Sequence, residues 1–251
     1  MLLTDNLAMS KIIKPYKDSD ATKKTQVADM FNNISGNYDG LNRVMTFGID
    51  IQWRKKVIAI VKESQPKKIL DIATGTGDLA IMHSQEMPDA QVIGLDISSG
   101  MLEVGKEKIK GLGLESNIEM VLGDSENIPY EDDFFDAITV SYGVRNFEDL
   151  NKGLQEINRV LKPGGTFVVL ETSVPTKFPF KQGYQFHSKV LLPLIGGLFS
   201  KDKTAYSYLS ESANSFPYGE KFNAILKENK FNNVVDIPVT FGVSTIYKAI
   251  K

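Results

Sequence analysis

The sequence predicts an α/β fold in which helices cover both faces of a mostly parallel, seven-stranded sheet. Short apolar runs alternate with helical segments between residues 68 and 171, and this alternation is typical of parallel strands joined by crossover helices. Two further apolar runs, joined by a short turn, close the chain. Strands joined in this way pair antiparallel, so we expect an antiparallel C-terminal edge on the sheet.

The apolar runs place each strand along the chain. Strands are expected at residues 68–72, 91–96, 117–122, 135–141, 166–171, 232–239 and 243–250. The helix after the first strand is expected to end near residue 86. Further helices are expected at residues 98–110, 149–161 and 219–229. Ser98 is a typical N-cap residue, and we interpret the Lys-Pro-Gly-Gly run at residues 162–165 as a helix stop.

The chain divides into an N-terminal part and a main domain. Residues 1–64 are interpreted as a polar arm followed, from Gln26, by helical segments that form a lid. Residues 65–251 form the main domain, with an aromatic-rich insertion at about 175–215 that forms a substrate cap. Its apolar residues between 178 and 199 are expected either to line an apolar groove or touch a bilayer, or to pack as a buried helical insertion.

The composition excludes several classes of function. Lys and Arg number 29 and Asp and Glu number 31 among 251 residues, a net charge of −2, so no nucleic-acid partner is expected. The chain has no cysteine and two histidines, so neither a thiolate nucleophile nor a metal site is expected. No uninterrupted apolar run reaches the about 20 residues of a membrane-spanning helix. A cytoplasmic location is expected, with contact with the inner face of the cell membrane left open.

A glycine-rich turn follows the first strand. Its glycines, Gly75 and Gly77, let the backbone come close to a ligand, and Thr74 and Thr76 lie in the same turn. The pattern by itself also fits a dinucleotide site, as in a nicotinamide dehydrogenase. Asp71, at the end of the strand, argues against that function because a carboxylate repels a pyrophosphate and attracts an ammonium group. S-Adenosylmethionine carries an ammonium and a sulfonium group and no phosphate, so we expect it as the cofactor.

Polar residues follow the next three strands as well. Asp96 ends the second strand, 19 residues after Gly77, a spacing typical of an acid that binds ribose hydroxyls. Asp124 and Ser125 follow the third strand, where a carboxylate can accept a hydrogen bond from an adenine amine. Ser141 ends the fourth strand. Because ligands of open α/β sheets bind beyond the carboxyl ends of the strands, we expect these residues around one cofactor.

Together these motifs resemble those of the class I S-adenosylmethionine-dependent methyltransferases, which have a Rossmann-like sheet, over about residues 65–251. From Val27 onward, the chain more closely resembles the menaquinone/ubiquinone biosynthesis C-methyltransferases of the UbiE/MenG type. The stretches that carry this closer resemblance are residues 31–42, Trp53-Arg54, residues 142–147, residues 170–173, residues 206–209 and Phe216-Pro217. The chain departs from the family's pattern at Thr74, where Gly is frequent, and at Thr172, where Phe is common.

The resemblance implies transfer of a methyl group from S-adenosylmethionine to a ring carbon of demethylmenaquinol, giving menaquinol in the last step of menaquinone biosynthesis. The alternatives are a prenylated methoxy-benzoquinol precursor of ubiquinone, another small phenolic acceptor, or a cofactor-binding protein without activity. A prenylated quinol is the expected partner, and assembly into a homo-oligomer is left open. The resemblance implies that the cofactor is held by residues of the strand-end motifs, namely Asp71, Gly75, Thr76, Gly77, Asp96, Asp124, Ser125 and Ser141. To these we add Thr74.

The loop after the fourth strand supplies the candidates for catalysis. We expect Arg145, with Asn146, to stabilise the phenolate of the acceptor, because a phenol has a pKa of about 10 and an arginine keeps its charge. Arginine is a poor base, so His187, a water molecule or a nearby carboxylate is expected to take the proton. His83 is expected on a helix surface. Four further residues are expected in the lid or against the substrate: Tyr38, Asp39, Asn42 and Tyr142.

Overall fold

A seven-stranded sheet forms the centre of the protein in the computed structural model, which describes residues 13–175, 177–186 and 203–251. The strands are β1 (Lys68–Ile72), β2 (Gln91–Asp96), β3 (Ile118–Leu122), β4 (Phe135–Ser141), β5 (Leu161–Thr172), β6 (Asn232–Val239) and β7 (Ser244–Ile250). Their order is β3-β2-β1-β4-β5-β7-β6. β7 is antiparallel to β5 and β6, and the other neighbours pair parallel, as the sequence predicts.

Helices pack around this sheet. They are α1 (Lys23–Ile34), α2 (Tyr38–Thr46), α3 (Asp50–Lys62), α4 (Asp78–Glu86), α5 (Ser99–Gly111), α6 (Leu150–Val160), α7 (Phe180–Phe186), α8 (Lys203–Ser215) and α9 (Glu220–Glu228). Ser98 caps α5, as expected, because its side chain accepts a hydrogen bond from the Met101 N–H. Of the helices that the structure describes, none combines the length and the apolar character needed to cross a membrane.

The core lies on both faces of the sheet, which explains the near-continuous apolar runs of the strands. Side chains alternate along a strand, and β1 shows the consequence. Leu70 and Ile72 pack with buried side chains of α6 and α9 on one face, whereas Ile69 packs with buried side chains of α3 and α4 on the other. The predicted α/β class, with helices on both faces, is therefore confirmed.

One expected boundary is wrong by several residues. β5 begins at Leu161 rather than at residue 166, so the Lys-Pro-Gly-Gly run lies inside the strand and is not a separate helix stop. The strand tolerates this run because its pairing with β4 is irregular there and Gly164 adopts a φ of +76°. The N-terminal region forms separate helices, as expected, and Phe47 and Gly48 both have positive φ angles between α2 and α3.

The N-terminal helix packs on the main domain. α1 begins at Lys23, after Thr22, whose side chain accepts a hydrogen bond from the Thr25 N–H. Val27 and Met30 of α1 are buried with Met101 of α5 and with side chains of α8. α1 therefore lies beside the ends of the strands, where the candidate site is found.

Candidate active site

The site lies where the strand order reverses, between the neighbouring strands β1 and β4. From β1 the sheet continues to β2 and β3, and from β4 it continues to β5, so a crevice opens between the loops that follow these strands. We call it the strand-end cleft. Its lining includes Gly75, Asp96, Asp124, Ser125, Ser141 and Asn146 from the loops, together with Lys24, Val27, Phe31 and Tyr38 from the N-terminal helices.

Asp96 fixes the glycine-rich turn against the end of β2. Its two carboxylate oxygens accept hydrogen bonds from the backbone N–H groups of Gly75 and Ser98, each at 2.8 Å. The carboxylate is buried, and burial raises its pKa. Because a carboxylate oxygen can accept more than one hydrogen bond, Asp96 keeps acceptor capacity for the hydroxyl groups of a ligand.

Asp71 lies beneath the cleft rather than in its lining. Its oxygens accept hydrogen bonds from the hydroxyl groups of Thr74, at 2.6 Å, and Thr139, at 2.7 Å. The parallel register of β1 and β4 places Asp71 beside Thr139, and burial raises the pKa of Asp71 to about 6. In this structure Asp71 and Thr74 fix the turn from below, and their direct contact with the cofactor stays a prediction.

His83, on α4, extends this buried chain of hydrogen-bonding groups. Its Nε2 lies 3.3 Å from the hydroxyl of Thr139, which itself donates to Asp71. The residue is completely buried, so the expectation of a surface histidine is wrong. α4 packs against both α3 and the sheet, which leaves few of its positions to solvent. Burial lowers the pKa of His83 to about 3, so the ring is neutral.

The rest of the turn faces either the cleft or the N-terminal helices. The hydroxyl of Thr76 donates to the Asp39 carboxylate of α2 at 2.6 Å, and the Lys108 ammonium donates to the same carboxylate at 2.9 Å. Gly75 and Gly77 have φ angles of +58° and +78°, a conformation that glycine adopts readily. Only open space lies beyond Gly75 in the direction of a Cβ atom, so this glycine leaves room in the cleft.

Asp124 and Ser141 differ in what they contact. Asp124 accepts a hydrogen bond from the Glu126 N–H at 2.9 Å and forms an ion pair with Lys24 of α1 at 2.5 Å. The Ser141 Oγ is buried in the cleft and has no hydrogen-bond partner. Buried hydroxyl groups without a partner are uncommon in folded proteins, so the Ser141 Oγ is a candidate contact for a ligand.

A second and larger cavity adjoins the cleft. It has a volume of about 500 Å³, within the range usual for sites that bind small organic molecules. We call it the apolar cavity, because most of its lining is hydrocarbon: Met45, Phe47, Ile49, Trp53, Pro179, Phe180, Leu209, Ala213, Phe241 and Val243. Its polar lining includes Asn42, Arg54, Arg145 and Thr172.

Tyr38 and Tyr142 line both cavities and form the wall between them. Tyr38 forms a side-chain hydrogen bond with Asn42. The Tyr142 hydroxyl lies 3.2 Å from the hydroxyl of Ser244. Burial raises the pKa of both tyrosines, so their hydroxyl groups stay protonated at neutral pH.

Arg145 lines the apolar cavity from a short 3-10 turn, Val144–Asn146, that follows β4. Its Nη1 donates to the backbone carbonyl of Tyr142 and to Oε1 of Glu171, each at 2.7 Å. Burial disfavours the charged guanidinium, but the Glu171 carboxylate, together with Tyr38 and Tyr208, raises the pKa of Arg145 above its usual value. The group expected to stabilise a phenolate is therefore paired with a buried carboxylate.

Asn146, expected to act with Arg145, faces the other side of the wall. It lines the strand-end cleft, and its Oδ1 accepts a hydrogen bond from the Tyr208 hydroxyl at 3.1 Å. Burial raises the pKa of Tyr208 to about 12. Arg145 and Asn146 are neighbours in sequence, yet each lines a different cavity.

The structure brings most of the expected site residues to this region. Those that line one or both cavities are Tyr38, Asn42, Gly75, Asp96, Asp124, Ser125, Ser141, Tyr142, Arg145 and Asn146. Those that support the glycine-rich turn or belong to it without lining a cavity are Asp39, Asp71, Thr74, Thr76 and Gly77. His187 lies outside the described residues. The lid function of the N-terminal helices stays a prediction.

Sequence reasoning missed Glu171 and gave no role to Arg54. Glu171 follows the apolar run at residues 166–170, and a carboxylate at the end of an apolar central strand is the signal that points to it. Arg54 lines the apolar cavity, where its Nη1 contacts Asp50 and lies 3.6 Å from Asp78. The four-residue spacing of Asp50 and Arg54 is visible in the sequence, whereas the approach of Asp78 is evident only in the folded chain.

The chain matches the model of the ubiE/COQ5 methyltransferase family over residues 19–251. It belongs to this family. It is 46% identical over 239 residues to a demethylmenaquinone methyltransferase of Bacteroides fragilis, an alignment that covers 95% of this chain and 97% of that protein. It is also 41% identical over 230 residues to the ubiquinone/menaquinone biosynthesis C-methyltransferase UbiE of Geobacter sulfurreducens, covering 91% of this chain and 90% of that protein.

Solved structures show the same fold at low sequence identity. A SAM-dependent methyltransferase from Aquifex aeolicus superposes with a TM-score of 0.56 and 19% identity, over 79% of this chain and 89% of that one. The family match and this fold confirm the expected Rossmann-like methyltransferase sheet and the expected S-adenosylmethionine-dependent methyltransferase. The roles of individual site residues stay predictions.

Proposed function

We propose that the protein transfers a methyl group from S-adenosylmethionine to a ring carbon of demethylmenaquinol, giving menaquinol. The observation that supports this most directly is the pair of adjoining cavities. A polar cleft at the strand ends and an apolar cavity of about 500 Å³ share the wall formed by Tyr38 and Tyr142. Two substrates of opposite character, a charged cofactor and a greasy acceptor, can therefore meet across one wall.

The residues of the strand-end cleft fit S-adenosylmethionine. Asp96 and Asp124 keep carboxylate oxygens in the cleft for hydroxyl and amine groups, and the unpartnered Ser141 Oγ offers a further contact. The carboxylates of Asp71 and Asp124 disfavour the pyrophosphate of a nicotinamide cofactor. When bound, the cofactor supplies an electrophilic methyl group on its sulfonium. The open space beyond Gly75 lets a ligand approach the backbone.

The apolar cavity suits a quinol ring and the first part of its prenyl chain. Its aromatic and aliphatic lining removes apolar surface from water, which stabilises binding in proportion to the area buried. Arg145 and Arg54 are charged groups in this lining. A ring hydroxyl of the acceptor can therefore lie near a cation while the hydrocarbon chain contacts hydrocarbon.

Arg145 has the central part in the mechanism. A ring carbon of the quinol becomes nucleophilic when the neighbouring hydroxyl loses its proton, and a phenol has a pKa of about 10 in water. The buried guanidinium of Arg145 favours the resulting anion electrostatically. Tyr208 and Tyr142 cannot serve as bases at neutral pH, since burial raises their pKa. His187 remains our proposed acceptor of the hydroxyl proton, with a water molecule or a nearby carboxylate as the alternatives. The proton that the methyl group replaces on the ring carbon then leaves to solvent, which restores the aromatic ring.

We further propose that the mouth of the apolar cavity contacts the inner, cytoplasmic face of the cell membrane, where a prenylated quinol resides. Phe47, Phe180 and Phe241 line this cavity and are also exposed, and the rings of Phe180 and Phe241 stack at 3.8 Å. Co-sedimentation with anionic lipid vesicles tests this contact. Phe241→Ser should weaken co-sedimentation, whereas Leu112→Ser, at an exposed leucine that lines neither cavity, should leave it unchanged.

The proposed reaction is tested with the purified protein, S-adenosylmethionine and chemically reduced demethylmenaquinone. Mass spectrometry should detect a methyl group on the naphthoquinol ring and formation of S-adenosylhomocysteine. The oxidised quinone should not react, because only the quinol can form the nucleophilic phenolate. Methylation of a prenylated methoxy-benzoquinol or of a simple phenol in preference to demethylmenaquinol would replace the proposed acceptor, and absence of all transfer would contradict the proposal.

A further inference from the structure

Glu171 is a buried carboxylate that lines neither cavity. It lies near the end of β5 and is completely inaccessible to solvent. Its Oε1 accepts hydrogen bonds from Arg145 Nη1 at 2.7 Å and from the Thr172 N–H at 2.8 Å. A third donor, the Thr172 hydroxyl, lies 3.1 Å from the same oxygen. Glu171 therefore contacts Arg145 directly but does not contact a ligand in either cavity.

Stability alone does not explain this ion pair. Removing two charges from water costs about as much free energy as their attraction returns, so a buried pair is weak evidence for stabilisation. The pair is also incompletely satisfied, since Glu171 Oε2 and Arg145 Nε are both buried without a hydrogen-bond partner. An apolar pair of similar volume would fill the same space without these unpaired atoms. The charges have to be explained by what they do for the cavity.

The contacts of Arg145 show what Glu171 contributes. The Nη1 atom is held from the β5 side by Glu171 and from the loop side by the carbonyl of Tyr142, each at 2.7 Å. Tyr142 itself has a φ of +57°, an uncommon conformation for a residue other than glycine. A long arginine side chain has many rotamers in the absence of such anchors. Two anchors on one nitrogen select the rotamer that lines the apolar cavity.

We propose that Glu171 is a positioning residue, which holds the Arg145 guanidinium against the ring hydroxyl of the acceptor. This inference rests on the proposed methylation of a quinol. Glu171 acts through Arg145 and touches no substrate. Its charge also partly neutralises Arg145. When the carboxylate is removed, an anchoring role therefore predicts a lower kcat, whereas a merely neutralising role predicts a higher kcat.

The other titratable groups around Arg145 come from four helices and from the loop itself. Lys23 of α1 donates to the carbonyl oxygen of Arg145 at 3.0 Å, and burial lowers the pKa of Lys23 to about 8. The tyrosines that interact electrostatically with Arg145 are Tyr38, Tyr184 and Tyr208, and the ring of Tyr142 lies 6.0 Å from its guanidinium carbon. All four tyrosines have a raised pKa. None of them changes charge between about pH 6 and pH 9, whereas Lys23 does. Arg145 is among the groups that lower the pKa of Lys23 and Glu171 is not, so the titration of Lys23 is common to the wild type and Glu171→Gln, and the pH profiles are compared between these two.

The experiment compares Glu171→Gln with the wild-type enzyme in the quinol assay described above. Glu171→Gln keeps the volume and removes the charge. If Glu171 anchors Arg145, kcat should fall about 10- to 100-fold, with KM for S-adenosylmethionine unchanged within about twofold. The pH at which kcat reaches half its maximum should move upward, because a displaced guanidinium no longer favours the phenolate. Glu156→Gln is the matched control, since Glu156 pairs with Arg159 at 2.8 Å and lines neither cavity.

A double-mutant cycle tests whether Glu171 acts through Arg145. In an Arg145→Ala background, Glu171→Gln should cause no further fall in kcat, because the group that it positions is absent. An independent fall there overturns the proposal. If the single variant Glu171→Gln has a higher kcat and a pH profile shifted downward, Glu171 only neutralises Arg145, and the proposal is overturned. If the pH profile is unshifted and the affinities for both substrates fall equally, the role of Glu171 is structural, and the proposal is overturned as well.

Glu171→Asp keeps the test valid if Glu171→Gln does not fold. The shorter carboxylate retains its charge but withdraws from Arg145, so we expect a smaller fall in kcat and an upward shift of the pH profile in the same direction. An unchanged kcat and pH profile would contradict the proposal. A wild-type enzyme that does not methylate demethylmenaquinol would contradict the proposed function instead, and this outcome is visible before any variant is examined.

Discussion

The two cavities are built in different ways. The strand-end cleft is lined mostly by residues that end a strand or lie in the loop after it, such as Asp96, Ser141 and Gly75. The apolar cavity is lined by segments that are far apart in the chain, so that Trp53 contacts Thr240 across the cavity lining through a hydrogen bond of 2.8 Å. The first kind of site follows from local strand endings, whereas the second exists only after the whole domain has folded.

Their charges are also held in different ways. Asp96, in the cleft, accepts hydrogen bonds from backbone N–H groups close to it in sequence or in the adjoining turn. Arg145, by contrast, depends on Glu171, a side chain from another strand. Substitution of Asp96 should therefore disturb the neighbouring turn, whereas substitution of Arg145 should leave Glu171 buried without its partner.

The largest effect is expected for Arg145→Ala. Removing this cation from the apolar cavity should lower kcat by about 10²- to 10³-fold, while the affinity for S-adenosylmethionine, measured by calorimetry, should stay within about twofold. One variant then distinguishes the functions of the two cavities, because only the cavity proposed to bind the acceptor is changed. An unchanged kcat would remove Arg145 from the mechanism.

A matched variant separates catalysis from stability at this position. Arg145→Ala leaves Glu171 buried without its partner, which costs about 3–5 kcal/mol of folding free energy. Arg145→Lys keeps a positive charge beside Glu171 but loses the planar fork. We expect this variant to be more stable in urea than Arg145→Ala and still well below the wild type in kcat.

A second prediction concerns the buried chain beneath the cleft. The pKa of His83 falls from 6.5 in the unfolded chain to about 3 in the fold, so the stability that its neutral form contributes is present above pH 6.5 and is lost as the pH falls. His83→Gln removes this loss. Relative to the wild type, the variant should gain about 3 kcal/mol in free energy of unfolding between about pH 6.5 and pH 4, measured by urea denaturation.

Asp71→Asn provides the opposite control. The pKa of Asp71 rises from 3.8 to about 6 on folding, so its contribution to stability is present below pH 3.8 and is lost as the pH rises through 6. Without this group, the variant should become less stable relative to the wild type as the pH falls from about 6 to 4. If the stabilities of His83→Gln and Asp71→Asn, each relative to the wild type, changed in the same direction with pH, the pKa shifts assigned to these two residues would be refuted.

The cleft itself is tested by Asp96→Asn. An amide has one oxygen, so it cannot accept hydrogen bonds from both the Gly75 and the Ser98 N–H groups in the way that the carboxylate does. We expect the affinity for S-adenosylmethionine to fall about 10- to 100-fold, with kcat at saturating cofactor almost unchanged. Asp132→Asn, at an exposed carboxylate, should leave the affinity unaltered, and an equal fall there would contradict the assignment.

The sequence was sufficient for most of the fold and for the cleft, and the reason is local. Strand endings are visible as apolar runs followed by Asp or Gly, so residues such as Asp96 and Ser141 could be placed at one edge of the sheet. The partner of Glu171 could not be assigned in this way, because Arg145 lies on another element, and the approach of Arg54 to Asp78 joins two different helices. His83 was misplaced for a related reason, because its burial depends on the sheet, where its ring lies against Thr139 of β4.

The smallest effect is expected at Gly143, where the loops after β1 and β4 touch. A Cβ atom at this position would lie 2.5 Å from the Cβ of Ala73 and 2.9 Å from Cγ1 of Val140, too close for the wall between the cavities to stay in place. Gly143→Ala should therefore cost about 1–3 kcal/mol of stability and raise KM for both substrates, because the adjacent Tyr142 lines both cavities. Gly111→Ala is the control, since its Cβ would meet nothing within 4 Å, and thermal unfolding should show no loss. If Gly143→Ala raised KM for only one substrate, the two cavities would not share the wall that the structure gives them.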